Sequence, residues 1–157
     1  MRIGFGFDTH KLVDGIPFFI GGVKIEHSKG ALGHSDADVL IHAICDAMLG
    51  AVGLPDIGSQ FPDTNPEYKG IDSKILLQKV NGLIVNNGWK IVNFDTTVVL
   101  QQPKLALFIP EIKLCLSKIL NINENQISIK AKTSEKLGFI GREEGVSAYA
   151  IVLIEKI

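Results

Sequence analysis

Glycine recurs at positions 4 and 6 inside the stretch Arg2-Ile3-Gly4-Phe5-Gly6-Phe7-Asp8-Thr9-His10. Apolar Ile3, Phe5 and Phe7 alternate with small residues, a period of two that specifies a strand. The two glycines leave one face of that strand bare, so another backbone or a ligand can lie directly against it. Where the alternation ends, Asp8 and His10 stand two residues apart and point to the same side of an extended chain. A carboxylate beside an imidazole is half of a metal site. Zinc takes His nitrogen and carboxylate oxygen, and it wants three or four protein ligands. The missing ligand has to come from elsewhere in the chain.

Further along, Asp14-Gly15 between apolar stretches signals a hairpin, and Gly21-Gly22 a bulge or a close approach. His27 to Gly30 reads as a turn. Ser35 or Asp36 is placed to cap a helix from Val39 to Leu49, which Gly50 and Gly53 close. Residues 54–70, with their prolines and acids, have no period and read as a long loop. Asp72-Ser73 caps a second helix that reaches about Asn87. Trp89 to Val99 is a strand. A third helix has Pro110 in its first turn and ends near Asn121. Ile127 to Ala131 alternates as a strand, and 133–145 is another polar loop. Val146 to Ile157 is nearly continuously apolar, which places it at the centre of a sheet. Strands and helices mixed in this way predict an α+β fold, a mixed β-sheet covered on one face by helices. The chain of 157 residues, 46% of them apolar, has ample material for one core and one domain, 1–157.

The net charge is −1, with no basic block, which argues against nucleic acid as the main partner while leaving room for a small anion. No apolar run approaches membrane-spanning length, so no membrane is expected either. No leader precedes the first strand, and the expected setting is cytoplasmic, or a plastid-type stroma after removal of a transit peptide. Cys45 and Cys115 lie apart in apolar helical contexts and read as reduced core residues.

His42 is the candidate third ligand. A lone histidine in an apolar helix is more often a satisfied structural residue. Here, though, Asp38 and Asp46 lie four residues either side as acceptors for its ring N–H, and the first strand already offers Asp8 and His10. Two histidines and one carboxylate form the donor set of a catalytic zinc rather than a structural one. His34-Ser35, at the start of the helix, forms either an anion site or a simple cap. Glu135, flanked by Thr133 and Ser134, can hold a hard cation or stand in solvent. The fork of Arg142 can bind phosphate or make a surface ion pair. Pro103-Lys104 presents a cation or merely ends a strand.

Several separated motifs then agree in order and spacing. They are Gly4-x-Gly6-x-Asp8-x-His10, Gly33-His34-Ser35-Asp36-x-Asp38 with His42 and Asp46, Asp56-Ile57-Gly58 with Phe61-Pro62-Asp63, and Glu135-Lys136-Leu137-Gly138-Phe139-x-Gly141-Arg142. From end to end the chain resembles the 2-C-methyl-D-erythritol 2,4-cyclodiphosphate synthase family. The resemblance implies a CMP-eliminating phosphorus–oxygen lyase of the non-mevalonate isoprenoid pathway. Its substrate is 4-diphosphocytidyl-2-C-methyl-D-erythritol 2-phosphate, whose 2-phosphate attacks its own β-phosphate.

By the same resemblance Asp8, His10 and His42 bind zinc. Glu135 binds a second divalent cation, magnesium or manganese, and His34 and Thr133 stabilise the transition state. Ser35, Asp56, Ile57, Gly58, Phe61, Pro62, Asp63, Thr64 and Asn65 resemble the residues around the methylerythritol and its phosphates. Leu100, Gln101, Gln102, Pro103, Lys104, Leu105, Ala106, Lys132, Thr133, Ser134 and Glu135 resemble the cytidine side. The family resemblance also implies a homotrimer with active sites between subunits. Phe139 and Arg142 would line a central apolar cavity able to take a prenyl diphosphate. Lys132 stands where the family often has threonine, and Glu143 follows Arg142 where glycine is common. Two other readings fit parts of the pattern: a zinc-dependent phosphate-ester hydrolase, and a non-catalytic trimer that binds prenyl diphosphates.

Overall fold

The structure, a computed structural model, describes residues 1–62, 64–68 and 70–157. In chain order the strands are β1 (Arg2–Asp14), β2 (Phe18–Ile20), β3 (Val23–Ile25), β4 (Lys29–Leu32), β5 (Trp89–Val99), β6 (Ile127–Lys132) and β7 (Gly145–Lys156). The helices are α1 (Val39–Ala51), α2 (Ile57–Gln60), α3 (Ser73–Asn86), α4 (Ile109–Leu120) and α5 (Gly138–Gly141). Five strands form one sheet in the order β4-β1-β7-β5-β6, with β5 and β6 parallel and the other neighbours antiparallel. The apolar β7 is the middle strand, and every second residue from Val146 to Ile154 is buried on the helix side. This is the mixed, one-face-covered sheet that the patterning predicts.

The glycines of β1 do what their bareness suggests. A Cβ added at Gly4 would overlap the carbonyl oxygen of Ala47, and one at Gly6 that of Ala43. Helix α1 therefore rests on β1 backbone to backbone. It is apolar almost all round because the sheet covers one side, while α3 and β2 cover others. Its half-buried polar residues, His42 and Asp46, lie one turn apart. On the opposite face of the sheet Ile3, Phe5, Phe7, Tyr149 and Ile151 are exposed and form an apolar stripe.

Several local expectations change. Strand β1 does not end near His10 but continues to Asp14, so Asp8 and His10 sit mid-strand, opposite Ala148 and Val146. The turn after Asp14 does not fold β1 back on the next strand. Residues β2 and β3 pair with each other around Gly21-Gly22, and β1 pairs with β4, which already includes Lys29 and Gly30. Helix α1 starts at Val39 as expected, but its cap is Asp38, which directly precedes it, not Ser35 or Asp36, which lie before a left-handed Ala37 (φ 54°). The stretch 54–70 contains α2 and a 3-10 turn over Pro66–Tyr68, and 133–145 contains α5. These turns are too short for a period to reveal them.

The contact between α1 and β1 makes a quantitative prediction. Gly6→Ala should lower the free energy of unfolding by about 1–3 kcal/mol or more, because backbone rather than a flexible side chain must yield. Denaturant titration of the variant beside the parent chain measures this.

Candidate metal centre

The glycine contact brings α1 across β1 at the level where the strand carries Asp8 and His10. Asp8 Oδ2 lies 2.8 Å from His10 Nε2 and 2.9 Å from His42 Nδ1. The two ring nitrogens are 3.1 Å apart, with the rings nearly perpendicular. Ligand atoms about 2.0–2.1 Å from a tetrahedral zinc would stand about 3.3–3.4 Å from one another. The three atoms are thus gathered on almost that scale. Two neutral rings can each donate one N–H to the carboxylate, but the two ring nitrogens 3.1 Å apart are then left without a hydrogen bond between them, a contact that a shared cation would satisfy. The donor set therefore fits a divalent metal. Among the described residues it is the one group of three such side chains placed this closely.

The electrostatics agree. Burial works to raise the Asp8 carboxyl, but the hydrogen bonds and charges of His10 and His42 outweigh it and hold the group well below the usual carboxylate range. Burial works to lower His42, but Asp8, with lesser help from Asp38 and Asp36, raises it. The site thus stabilises positive charge beside a carboxylate.

Asp38 and Asp46 do not accept from the His42 ring. The Asp38 carboxylate accepts the N–H groups of Gly21, Gly22 and Ile41, tying the β2–β3 turn to the start of α1. Asp46 accepts the Ile57 N–H at 2.8 Å and so fixes the start of α2. Burial raises both carboxyl groups, against those hydrogen bonds. The second ring nitrogen of His42 instead lies 3.1 Å from Ser73 Oγ and 3.1 Å from Ser35 Oγ. Ser73 and its partner Asp36 are residues that motif reading took only for caps.

A cleft of about 180 Å³ opens beside the metal ligands. Its polar wall is His10, His34, Ser35 and His42, and its apolar wall includes Ile57, Phe61, Tyr68 and Leu76. Phe61 meets Tyr68 edge to face at 5.3 Å. Tyr68, Ile71 and Leu76 were not foreseen, since nothing distinguishes them in sequence from ordinary core residues. Gly58 also lines this cleft, while Asp56 caps α2 through the Ser59 N–H. Pro62, Thr64 and Asn65 lie between α2 and the 3-10 turn, and Asp63 lies outside the described residues.

A second cleft, of about 220 Å³, is lined by Leu100, Pro103, Lys104, Leu105, Ala106, Ala131, Lys132 and Thr133. It shares no lining residue with the first. Gln101 accepts the Lys136 N–H, Gln102 precedes Pro103 in an exposed position, and Ser134 caps the turn by donating to the Leu137 carbonyl. Glu135 is exposed, accepts from the Thr133 hydroxyl and, like Lys136, has left-handed backbone. Non-glycine residues at positive φ are uncommon and concentrate at functional sites. Phe139 borders a third, open recess with Thr9 and His10. The Arg142 fork grips Glu144 through two 3.0 Å hydrogen bonds. That pair is exposed and therefore weak.

A helix-covered mixed sheet with an Asp-His-His donor set beside a cleft defines a divalent-metal-binding α+β domain. The chain belongs to the YgbB family, whose model matches residues 1–155. It is 57% identical over 153 residues to a protein of Porphyromonas gingivalis named 2-C-methyl-D-erythritol 2,4-cyclodiphosphate synthase, covering 98% of this chain and 94% of the relative. Among solved structures it resembles the bifunctional IspDF of Campylobacter jejuni (TM-score 0.95, 38% identity), covering 99% of this chain and 42% of that one. It also resembles the IspF–CDP complex of Plasmodium falciparum (TM-score 0.88, 39% identity), covering 99% of this chain and 96% of that one.

Replacing one ligand tests the site directly. His42→Ala should abolish stoichiometric divalent-metal binding, read by equilibrium dialysis, without changing the circular dichroism spectrum. In the parent chain affinity should be full at high pH and fall as pH drops, since imidazoles must shed protons to bind metal. Because the His42 pKa is raised, the fall should begin above the ordinary histidine value of about 6.5.

Proposed function

We propose that this chain is a CMP-releasing cyclodiphosphate synthase. It converts 4-diphosphocytidyl-2-C-methyl-D-erythritol 2-phosphate into 2-C-methyl-D-erythritol 2,4-cyclodiphosphate and CMP, a step of non-mevalonate isoprenoid synthesis. The observation that carries the reading is the Asp8–His10–His42 donor set beside its cleft, in a chain 57% identical to a synthase of that name. The CDP-bound Plasmodium falciparum relative supports a cytidine diphosphate-linked substrate.

In this reaction the 2-phosphate oxygen forms a bond to the β-phosphorus, and the bond to CMP breaks. The substrate is its own nucleophile, so the protein contributes positioning and charge stabilisation. Asp8, His10 and His42 hold zinc, which when bound polarises phosphate oxygens as a Lewis acid. Glu135 holds the second cation, magnesium or manganese, an oxygen-seeking ion suited to a carboxylate. His34 and Thr133 donate hydrogen bonds to oxygens whose charge grows in the transition state. Ser35 serves the same phosphates. Ile57, Gly58 and Phe61, with Asp56 and Pro62 to Asn65, enclose the methylerythritol. The second cleft takes the cytidine, with Leu100 and Leu105 against the base and Lys104 and Lys132 beside its phosphates.

His34 and Thr133 border different clefts, yet one substrate must meet both. The reading therefore includes a homotrimer in which the metal cleft of one subunit faces the cytidine cleft of the next. The uncovered apolar stripe of Ile3, Phe5, Phe7, Tyr149 and Ile151 supports such an assembly, since exposed patches of this kind mark interfaces. Phe139 and Arg142 would then border a central cavity with room for a prenyl diphosphate.

Phosphorus NMR of the protein with this substrate and magnesium tests the reaction. CMP and a cyclic diphosphate should appear, and a zinc chelator should stop them. Linear phosphates would instead mean a hydrolase, and no turnover in zinc-loaded trimer would mean a binding protein. The shared site has its own test. Chains carrying His42→Ala and chains carrying Thr133→Ala, each inactive or slowed by about 10²–10³-fold, should regain activity when refolded together. Mixtures no more active than their parents would place the whole site in one subunit.

A further inference from the structure

On the side of His42 away from Asp8 runs a short hydrogen-bond chain that none of these roles uses. His42 Nε2 lies 3.1 Å from Ser73 Oγ. The Ser73 hydroxyl donates to Asp36 Oδ1, and the Ser73 N–H donates to Asp36 Oδ2 at 3.1 Å. Asp36 also accepts the Asp38 N–H. Ser73 is fully buried at the first turn of α3, so its hydroxyl has no solvent outlet.

The protons in this chain can be counted. A carboxylate only accepts, so the one proton of the Ser73 hydroxyl is committed to Asp36. The Ser73 oxygen then has only lone pairs to offer His42, and their hydrogen bond needs the hydrogen on Nε2. A neutral imidazole has a single N–H, so with Nε2 holding it Nδ1 offers its lone pair, and the Asp8 carboxylate 2.9 Å from Nδ1 competes for that hydrogen until a cation stands between them. Nδ1 is the atom that joins Asp8 and His10 in the donor set. Ser35 Oγ also lies 3.1 Å from Nε2, but it accepts the Ala37 N–H and borders the cleft, where its proton has another outlet. It does not compel the ring either way.

We propose that Asp36 and Ser73 are positioning residues that fix His42 as its Nε2–H tautomer and so aim the Nδ1 lone pair at the metal. A carboxylate behind a metal-bound imidazole is a recurrent arrangement, and here a serine hydroxyl is inserted between them. The inference rests on the reading of Asp8, His10 and His42 as metal ligands.

Asp36→Asn tests it with almost no change of size. With the amide oxygen on the Ser73 N–H, the NH₂ donates to Ser73 Oγ. The hydroxyl proton then turns to His42, and the ring must carry its hydrogen on Nδ1. Ser73→Ala removes the link altogether. Long-range proton–nitrogen correlations of the ring, recorded on metal-free protein at about pH 9 where imidazoles are neutral, read the tautomer. Competition with a chromophoric chelator reads zinc affinity.

The parent chain should hold a larger share of Nε2–H than Asp36→Asn, in which nothing opposes the pull of Asp8 on the Nδ1 hydrogen. Both variants should bind zinc about 10–100-fold more weakly. A purely structural contact would lower the melting temperature and leave the tautomer as it was. Variants with the parent's tautomer and zinc affinity would overturn the relay while leaving the ligand reading intact. A parent chain that binds no zinc but shows Nε2–H would sink the ligand reading and uphold the relay as a device of the fold. One with Nδ1–H and no zinc would overturn both.

Discussion

The backbone of α1 lies on the backbone of β1 at Gly4 and Gly6, and the rest of the molecule is arranged by that contact. It fixes how far α1 stands from the sheet and which of its residues meet which strand positions. Ala43 and Ala47 sit over the glycines, so His42 is delivered to the level of Asp8 and His10. The helix is thereby enclosed on most sides, which explains why its sequence is apolar nearly all round. Burying so much of one helix requires partners on both sides, and α3 and the β2–β3 hairpin supply the second layer.

The donor triad concentrates charge in a chain that has almost none in net terms. One carboxylate stands against two imidazoles, and Asp38 and Asp46 are spent on backbone N–H groups rather than left facing the site. A carboxylate fully engaged with backbone is a fixed structural element. One facing two ring nitrogens is an invitation to a cation. The same residue type thus does opposite work at Asp8 and at Asp38, and the difference lies wholly in what surrounds it.

Much of this was legible before the fold. The period of two in β1 and the helical spacing after Asp38 exposed the triad, because both depend on local geometry that a sequence writes directly. The central place of β7 followed from its unbroken apolar run. Where reading failed, the cause was tertiary. Asp38 and Asp46 are at helical spacing from His42, yet the Gly21-Gly22 turn claimed the first and the start of α2 claimed the second. Ser73 is 31 residues from His42, a separation over which no periodicity speaks. The length of β1 was underestimated because the polar residues after Phe7 look like a strand end, whereas pairing with β7 carries the strand on regardless. The split of the expected substrate residues between two clefts is a property of the folded surface alone.

Asp46 and His42 stand one turn apart on α1, one holding the start of α2 and the other reaching the metal ligands. The spacing between the residue that anchors α2 and the residue that joins the donor triad is therefore a dimension of the α-helix itself, four residues at about 1.5 Å each. Repacking side chains in the core leaves that span unchanged. The helix acts as a ruler between the side chain that reaches the donor triad and the one that anchors the facing wall.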